Sequence, residues 1–199
     1  MNRHPADPGA SDVHLVRQAQ QGSPDAFAAL VARYQDRVYN TCYRLCRDEA
    51  EALDLTQTTF LKALEALGRF EARSSFYTWL FRIAVNEALS QRRSQRRRPV
   101  VSLDDGLPPA RHALADRHDV SRGLEQAELH EQLEHALLQL EPEFRVAVVL
   151  KDIEDLDYAA IAEILQVPIG TVKSRIYRGR MLLRDLLAKA GFALDRRTT

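Results

Sequence analysis

A chain of 199 residues that is 45% hydrophobic can build one domain or two small ones, and its apolar content excludes wholesale disorder. Its 28 acids and 28 bases cancel, so attraction to a charged partner has to come from local asymmetry. No apolar run approaches the ~20 residues that cross a bilayer, so no membrane insertion is expected. The opening MNRHPADPGASD lacks the apolar core of a signal peptide, and a cytoplasmic location is expected.

Residues 1–11 read as a disordered tail. Ser23-Pro24-Asp25 marks a helix start, a capping hydroxyl followed by proline in the first turn. Phe27, Leu30, Val31, Tyr34, Val38, Cys42 and Leu45 then trace one face of a long helix ending near Arg47. Asp48 with Glu51 resembles a capping box, with Asp in place of the usual Ser or Thr. The helix that follows is expected to bury Leu53, Phe60, Leu61, Leu64 and Leu67 and to end at Gly68. After the loop Arg69 to Ser75, a cap at Ser75 opens FYTWLFRIAVNEALSQRR, apolar over its first three turns and basic over its last.

Pro99 closes that helix. Residues 99–123 hold Pro108, Pro109, two glycines and no sustained period, and read as a flexible linker. Periodicity returns with Leu124, Leu129, Leu133, Leu137 and Leu140. Pro142 starts a helix through Val146, Val149, Leu150 and Ile153, and Asp157 caps the next one. No segment alternates like a strand. The expected fold class is all-α: two small helical domains, residues 12–98 and 124–190, joined by the linker.

Cys42 and Cys46 lie one helical turn apart, with no second pair of ligands near them in sequence. They read as reduced core cysteines, and neither a metal nor a cofactor is expected. Charge is unevenly spread. Residues 82–98 carry six arginines against Glu87, and residues 141–163 carry seven acids against Arg145 and Lys151. This asymmetry suggests separate surfaces for an anionic and a basic partner.

The most telling stretch is DYAAIAEILQVPIGTVKSRIYRGR, Asp157 to Arg180: a short apolar-periodic helix, a tight turn and a basic helix. That is the layout of a helix-turn-helix whose second helix enters the major groove of DNA. Pro168 to Arg184 holds five bases and no acid. Val172 and Ile176 would face the core, leaving Lys173, Ser174, Tyr177 and Arg178 together on the opposite face.

Both halves resemble one family, the extracytoplasmic function (ECF) group of sigma-70-type RNA polymerase sigma factors. The N-terminal half does so through AFAALVARYQDRVY, LDLTQTTFLKALEAL and FYTWLFRIAVN, and the C-terminal half through LDYAAIAEILQVPIGTVKSRIYRGR. The resemblance implies that the first domain binds the clamp of core RNA polymerase and the −10 promoter element. It implies −35 recognition for the second domain, no catalytic chemistry in the chain itself, and an anti-sigma protein as inhibitory partner. In that frame Phe70, Arg73, Ser74 and Ser75, followed by Phe76 and Trp79, offer pockets and stacking faces for unpaired −10 bases, with a place in the core the alternative for Phe76 and Trp79. Asn86 could reach a base edge, and Arg92 and Arg93, with Arg96 to Arg98, would hold phosphates. Thr171, Lys173, Ser174, Tyr177 and Arg178 match positions where the family meets −35 bases. Arg175 and Arg180 are assigned to phosphates or to the helix's own packing. The polymerase face is expected on the polar side of the helix after Asp48, at Asp54, Gln57, Thr58 and Lys62.

The chain departs from the family pattern in two places. One or two carboxylates of the clamp-binding helix are missing, where Ala52-Leu53-Asp54 and Gln57-Thr58 stand. The usual turn glycine of the helix-turn-helix is Gln166, which in a left-handed turn costs on the order of 1 kcal/mol. Two other classes compete with this reading. A stand-alone helix-turn-helix regulator would call for a ligand-binding or phospho-acceptor N-terminal domain, and the N-terminal half has no strand pattern for one. A metal-dependent hydrolase would call for clustered ligands such as two His one turn apart, and His130 and His135 are five apart.

Overall fold

The computed structural model describes residues 11–97 and 131–190, with side chains of the first stretch described to Ser94. The expected tail through residue 10, the linker 99–123, Leu124, Leu129, His130 and the side chains of Arg96 to Arg98 lie outside the described residues. Every regular element among the described residues is helical.

The N-terminal half holds four helices. The first, α1 (Asp12–Gln20), escaped the sequence reading, although Ser11 caps it and its Leu15 and Val16 are buried. Asp12 ties it to the next helix, accepting from Arg33 at 2.5 Å and from the Tyr34 hydroxyl. Burial, and then the Asp12 contact, push the Tyr34 phenol well above its ordinary pKa. Gly22, at φ +91, makes the turn into α2 (Pro24–Cys46), where the Ser23 hydroxyl accepts from the Ala26 amide at 3.3 Å. Asp48 caps α3 (Glu49–Leu67) through the Glu51 amide at 2.7 Å. Gly68 follows α3 at φ −60, so it ends the helix without the left-handed conformation that favours glycine. Ser75 starts α4 (Phe76–Arg97), its hydroxyl accepting from the Thr78 amide at 3.0 Å.

One face of α3 is the reverse of the expectation. Leu53, Leu61 and Leu64 are 52%, 62% and 51% exposed, so they are not core residues. The inward stripe is Ala52, Leu55, Thr56, Thr59, Phe60, Ala63 and Leu67. Small and hydroxylated residues let α3 approach its neighbours closely. The two threonines bury no unmet hydroxyl, because each donates 2.7 Å to the carbonyl four residues back, Ala52 and Leu55.

The C-terminal half opens with α5, residues 131–139, which buries Leu137. Next come α6 (Pro142–Val148), with proline in its first turn, and a π-helical turn over Val149–Ile153 that continues it. Ile153, the last apolar residue of the run that starts at Pro142, lies at the surface with 36% exposure. Asp157 caps α7 (Tyr158–Leu165) through the Ala160 amide at 2.8 Å. Gln166 takes the left-handed turn at φ 54 and returns its amide to the Ala162 carbonyl, as the missing glycine led us to expect. The last helix, α8 (Ile169–Lys189), buries Val172, Ile176 and Leu187. It packs on α6 at Gly179, where an added Cβ would meet Val148 Cγ2 at 2.6 Å and the Phe144 carbonyl at 3.2 Å. No side chain fits there without a shift.

The two halves share one continuous set of buried apolar residues, with α7 against α4 and α6 against α2. Arg145, 2% exposed, closes the seam. Its guanidinium donates to the carbonyls of Leu137 (2.8 Å), Leu138 and Leu140 (2.9 Å) at the end of α5, and to Leu45 (2.7 Å) at the end of α2. Carbonyls left over at two helix ends thus find one buried donor. Ion pairs Arg47–Glu134 and Arg82–Glu163 (3.6 Å) also cross between the halves.

Candidate nucleic-acid interface

Three surfaces carry the residues singled out in the sequence. The first is the loop between α3 and α4. Gln20 of α1 fixes its start, its amide donating to the carbonyls of Leu67 (3.0 Å) and Phe70 (2.8 Å). Phe70 is half-buried, edge-on to Phe76 at 6.1 Å and tilted against Trp79 at 4.9 Å between ring centroids. Phe76 and Trp79 are 3% and 8% exposed. They form a buried floor beneath Phe70, a correction to the expectation that they offer stacking faces themselves. An amphipathic helix entering a small core places its first-turn rings inward, and both rings are large apolar surfaces. What the loop presents is the half-exposed Phe70 ring, the exposed Arg73 beside Glu71 at 2.6 Å, the half-exposed Ser74 and the exposed Ser75. Ala72 holds a left-handed φ of 53 at its crest.

Further along α4, Asn86 is exposed, and Arg93 is exposed with its Nε donating to the Leu89 carbonyl at 3.2 Å. Arg92 is half-buried. It lines a small cleft with Leu45, Ala88, Leu89, Pro142 and Arg145, on the side of α4 next to the C-terminal half.

On the second surface, α8 turns Lys173, Ser174, Tyr177 and Arg178 outward, with Tyr177 67% exposed, and Thr171 half-buried at its start. The Ser174 hydroxyl donates to the Thr171 carbonyl at 3.0 Å, and Lys173 sits 5.6 Å from the Tyr158 ring of α7. Arg175 and Arg180 do not join this face. Arg175 pairs with Glu143 at 2.8 Å. Arg180 donates its Nε to Asp152 at 3.0 Å, a bond that raises its pKa above the usual guanidinium value. The acids of residues 141–163 are therefore largely met within the chain: Glu143, Asp152, Glu154 and Glu163 pair with Arg175, Arg180, Arg37 and Arg82. A separate surface for a basic partner, expected from the charge count, is not where those carboxylates point.

The third surface is the outer side of α3. Asp54 and Gln57 are exposed, Thr58 is half-buried, and Lys62 is exposed and paired with Glu87 at 2.6 Å. Leu53, Leu61 and Leu64 stand among them, so the face is apolar with a polar rim instead of polar throughout. Clustered exposed leucines of this kind mark protein-binding surfaces. Their helical spacing was visible in the sequence, but the same spacing also fits a core stripe.

Behind these surfaces Cys42 is buried and Cys46 half-buried, both as free thiols. Burial pushes the Cys42 thiol up to about 12. It pushes Cys46 to about 11, against the lowering effect of a hydrogen bond with the Asp48 backbone. Thiols held protonated in this way are poor nucleophiles.

Comparison with known proteins matches the architecture at two levels. Residues 30–98 match the family model of Sigma-70 region 2, and residues 130–183 that of Sigma-70, region 4. The RNA polymerase sigma-H factor of Pseudomonas aeruginosa is 38% identical, over 85% of this chain and 90% of that protein. The ECF RNA polymerase sigma factor SigW of Bacillus subtilis is 36% identical, over 86% and 94%. Among solved structures, CnrH in complex with the cytosolic domain of CnrY aligns with TM-score 0.66 at 27% identity, covering 92% of this chain and 99% of that one. The sigma factor RpoE in complex with the anti-sigma factor NepR, from Bartonella quintana, aligns at 0.64 and 28%, covering 81% and 96%. With both region models in their order along one chain and relatives matched over nearly their full length, the protein belongs to the ECF subfamily of the sigma-70 family of RNA polymerase sigma factors.

Proposed function

We propose that this sigma factor divides promoter recognition between its halves, the α3–α4 loop capturing unpaired −10 bases and α8 reading the −35 element in the major groove. Directing core RNA polymerase to promoters and assisting their opening is the work of the family to which it belongs. The single observation that carries the division of labour is the pairing, in one chain, of two unlike surfaces. One is a loop ring on a buried aromatic floor, and the other is an outward basic helix face. A flat aromatic ring stacks on unpaired bases of any identity, whereas Lys and Arg on a helix face reach the edges of paired ones. Asn86 and Arg93 continue the first surface along α4. The apolar face of α3, with Leu53, Leu61 and Leu64 around Asp54 and Gln57, is assigned to the polymerase.

In this reading the chain is a non-catalytic cytoplasmic subunit. No helix among the described residues is long and apolar enough to cross a membrane. An anti-sigma protein is the expected inhibitor, since one of the solved relatives is described in complex with one. Run-off transcription with core polymerase, with and without the purified chain, tests the proposal. The expected result is a promoter-specific transcript that appears only with the chain. A chain that shifts duplex DNA tightly by itself and never co-purifies with polymerase would instead be a stand-alone regulator.

A further inference from the structure

Glu154 is the least expected buried group in the molecule. It lies just after the π-helical turn, in the C-terminal half, yet every side chain it bonds belongs to the N-terminal half. The residue is 7% exposed. Its Oε1 accepts from the Thr41 hydroxyl at 2.7 Å, inside α2. Its Oε2 accepts from the Tyr77 hydroxyl of α4 at 2.6 Å and from Arg37 of α2 at 3.0–3.2 Å. Arg37 also reaches back to the Glu154 carbonyl at 3.5 Å. The Tyr77 ring is itself held, 5.7 Å from Tyr34 and 4.5 Å beneath the Arg37 guanidinium. Burial and the bond to Glu154 drive the Tyr77 phenol far above its ordinary pKa, so it stays a donor. Donors from three residues on two helices therefore converge on one carboxylate supplied from across the seam. A buried acid so completely met is held in place, and withdrawing it leaves several donors without a partner.

That contact conflicts with the geometry of a promoter. The −10 and −35 positions are about 25 base pairs apart, about 85 Å along B-form DNA at about 3.4 Å per pair. A compact chain of 199 residues has a radius of gyration of about 16 Å, and thus a diameter of about 40 Å. Two halves sharing one core cannot place their reading surfaces on both elements. Arg82, bound to Glu163, and Tyr77, bound to Glu154, are also α4 side chains committed to the C-terminal half.

We propose that Glu154, seated between Thr41, Tyr77 and Arg37, is an autoinhibitory clasp that keeps the free chain closed, and that core polymerase must withdraw this carboxylate to spread the halves along the promoter. This rests on the division of −10 and −35 reading proposed above. Polymerase binding to the open form then bears the cost of opening, and weakening the clasp raises the competent fraction and the apparent affinity together. Glutamine at 154 keeps the volume but removes the charge that faces Arg37 and replaces one of the two accepting oxygens with an NH2 group.

The test uses the full chain with Glu154→Gln, Thr41→Val and Arg37→Gln. Arg37 is half-exposed, so its variant reports on the clasp even where a buried substitution disturbs folding. Small-angle scattering is expected to show a radius of gyration larger by several ångström than that of the unaltered chain. Circular dichroism should show equal helix content, and binding to core polymerase should tighten about 3- to 10-fold. Combining Glu154→Gln with Thr41→Val should add little, since both remove one contact. An unchanged radius in both Glu154→Gln and Arg37→Gln, or polymerase binding no tighter than that of the unaltered chain, overturns the clasp. Absence of a promoter-specific transcript from the unaltered chain would instead overturn the promoter reading beneath it, whatever the scattering shows.

Discussion

The helices α4 and α8 are nearly equal in length, 22 and 21 residues, and both are rich in arginine, but the fate of their charge differs. On α8 the arginines nearest α6 are neutralised by the acids beside them, Arg175 by Glu143 and Arg180 by Asp152. Lys173 and Arg178 remain as outward cations on the face proposed above to read DNA. On α4 the arginines are divided by direction. Arg82 and Arg92 lie on the side next to the C-terminal half, while Arg93 stays at the surface. A count of basic residues therefore overstates the charge either helix can offer to a phosphate. What matters is which acids the neighbouring helix brings within reach.

The comparison can be broken most severely at the seam. Replacing Arg145 by Met would leave carbonyls at the ends of α2 and α5 without their buried donor. The expected cost is about 3 kcal/mol or more, read as a lower denaturation midpoint. Gly179→Ala should cost about 2 kcal/mol through the collision with Val148 and Phe144. Gly170→Ala, where nothing lies within 4 Å, should stay within about 0.5 kcal/mol. Comparable losses from both glycine variants would contradict the close approach of α8 to α6.

The next three expectations sharpen the difference between the two surfaces proposed to meet DNA. Phe70→Ala should impair promoter opening by about 1–3 kcal/mol of lost stacking while sparing closed-complex formation. Permanganate footprinting compared with filter binding separates those steps. Arg178→Ala should relax −35 sequence preference by about 1–3 kcal/mol per discriminated base, while Arg175→Ala, removing a cation already paired, leaves that preference intact. Competition among −35 variants with assembled holoenzyme measures both. Smallest of all, Arg93→Ala should weaken all promoters alike and lower the salt slope by about one unit.

Local chemistry was the most legible part of the sequence. Ser23, Asp48, Ser75 and Asp157 each announced a helix start, because a short oxygen before a periodic run has little else to do than meet an amide. Val172 and Ile176 announced the buried side of α8, and Gln166 the left-handed turn. What failed were choices between faces. Leu53, Leu61 and Leu64 carry the helical spacing that a core stripe would, and the true stripe hides in Ala52, Thr56, Thr59 and Ala63, which hydropathy ranks lower. Phe76 and Trp79 fit a floor or a stacking face equally well until α1, through Gln20, fixes the loop above them. Arg145 and Glu154 were illegible for a different reason. The bond from Arg145 to Leu45 spans 100 residues and that from Thr41 to Glu154 spans 113, and no local pattern reports such a distance.

The π-helical turn at Val149–Ile153 has a consequence of its own. Here Glu154 returns its amide to Val149, five residues back, so the helix spends one residue more on that turn than an α-helix would. Each residue of an α-helix advances the side chains by about 100°, so the widened turn acts as a phase adjuster for everything that follows it. Asp152 reaches Arg180 on one side and Glu154 reaches Thr41 on the other from within this short stretch. A chain shortened by one residue there could keep its length of helix, its hydrophobic pattern and its charge, and still aim both carboxylates at empty directions.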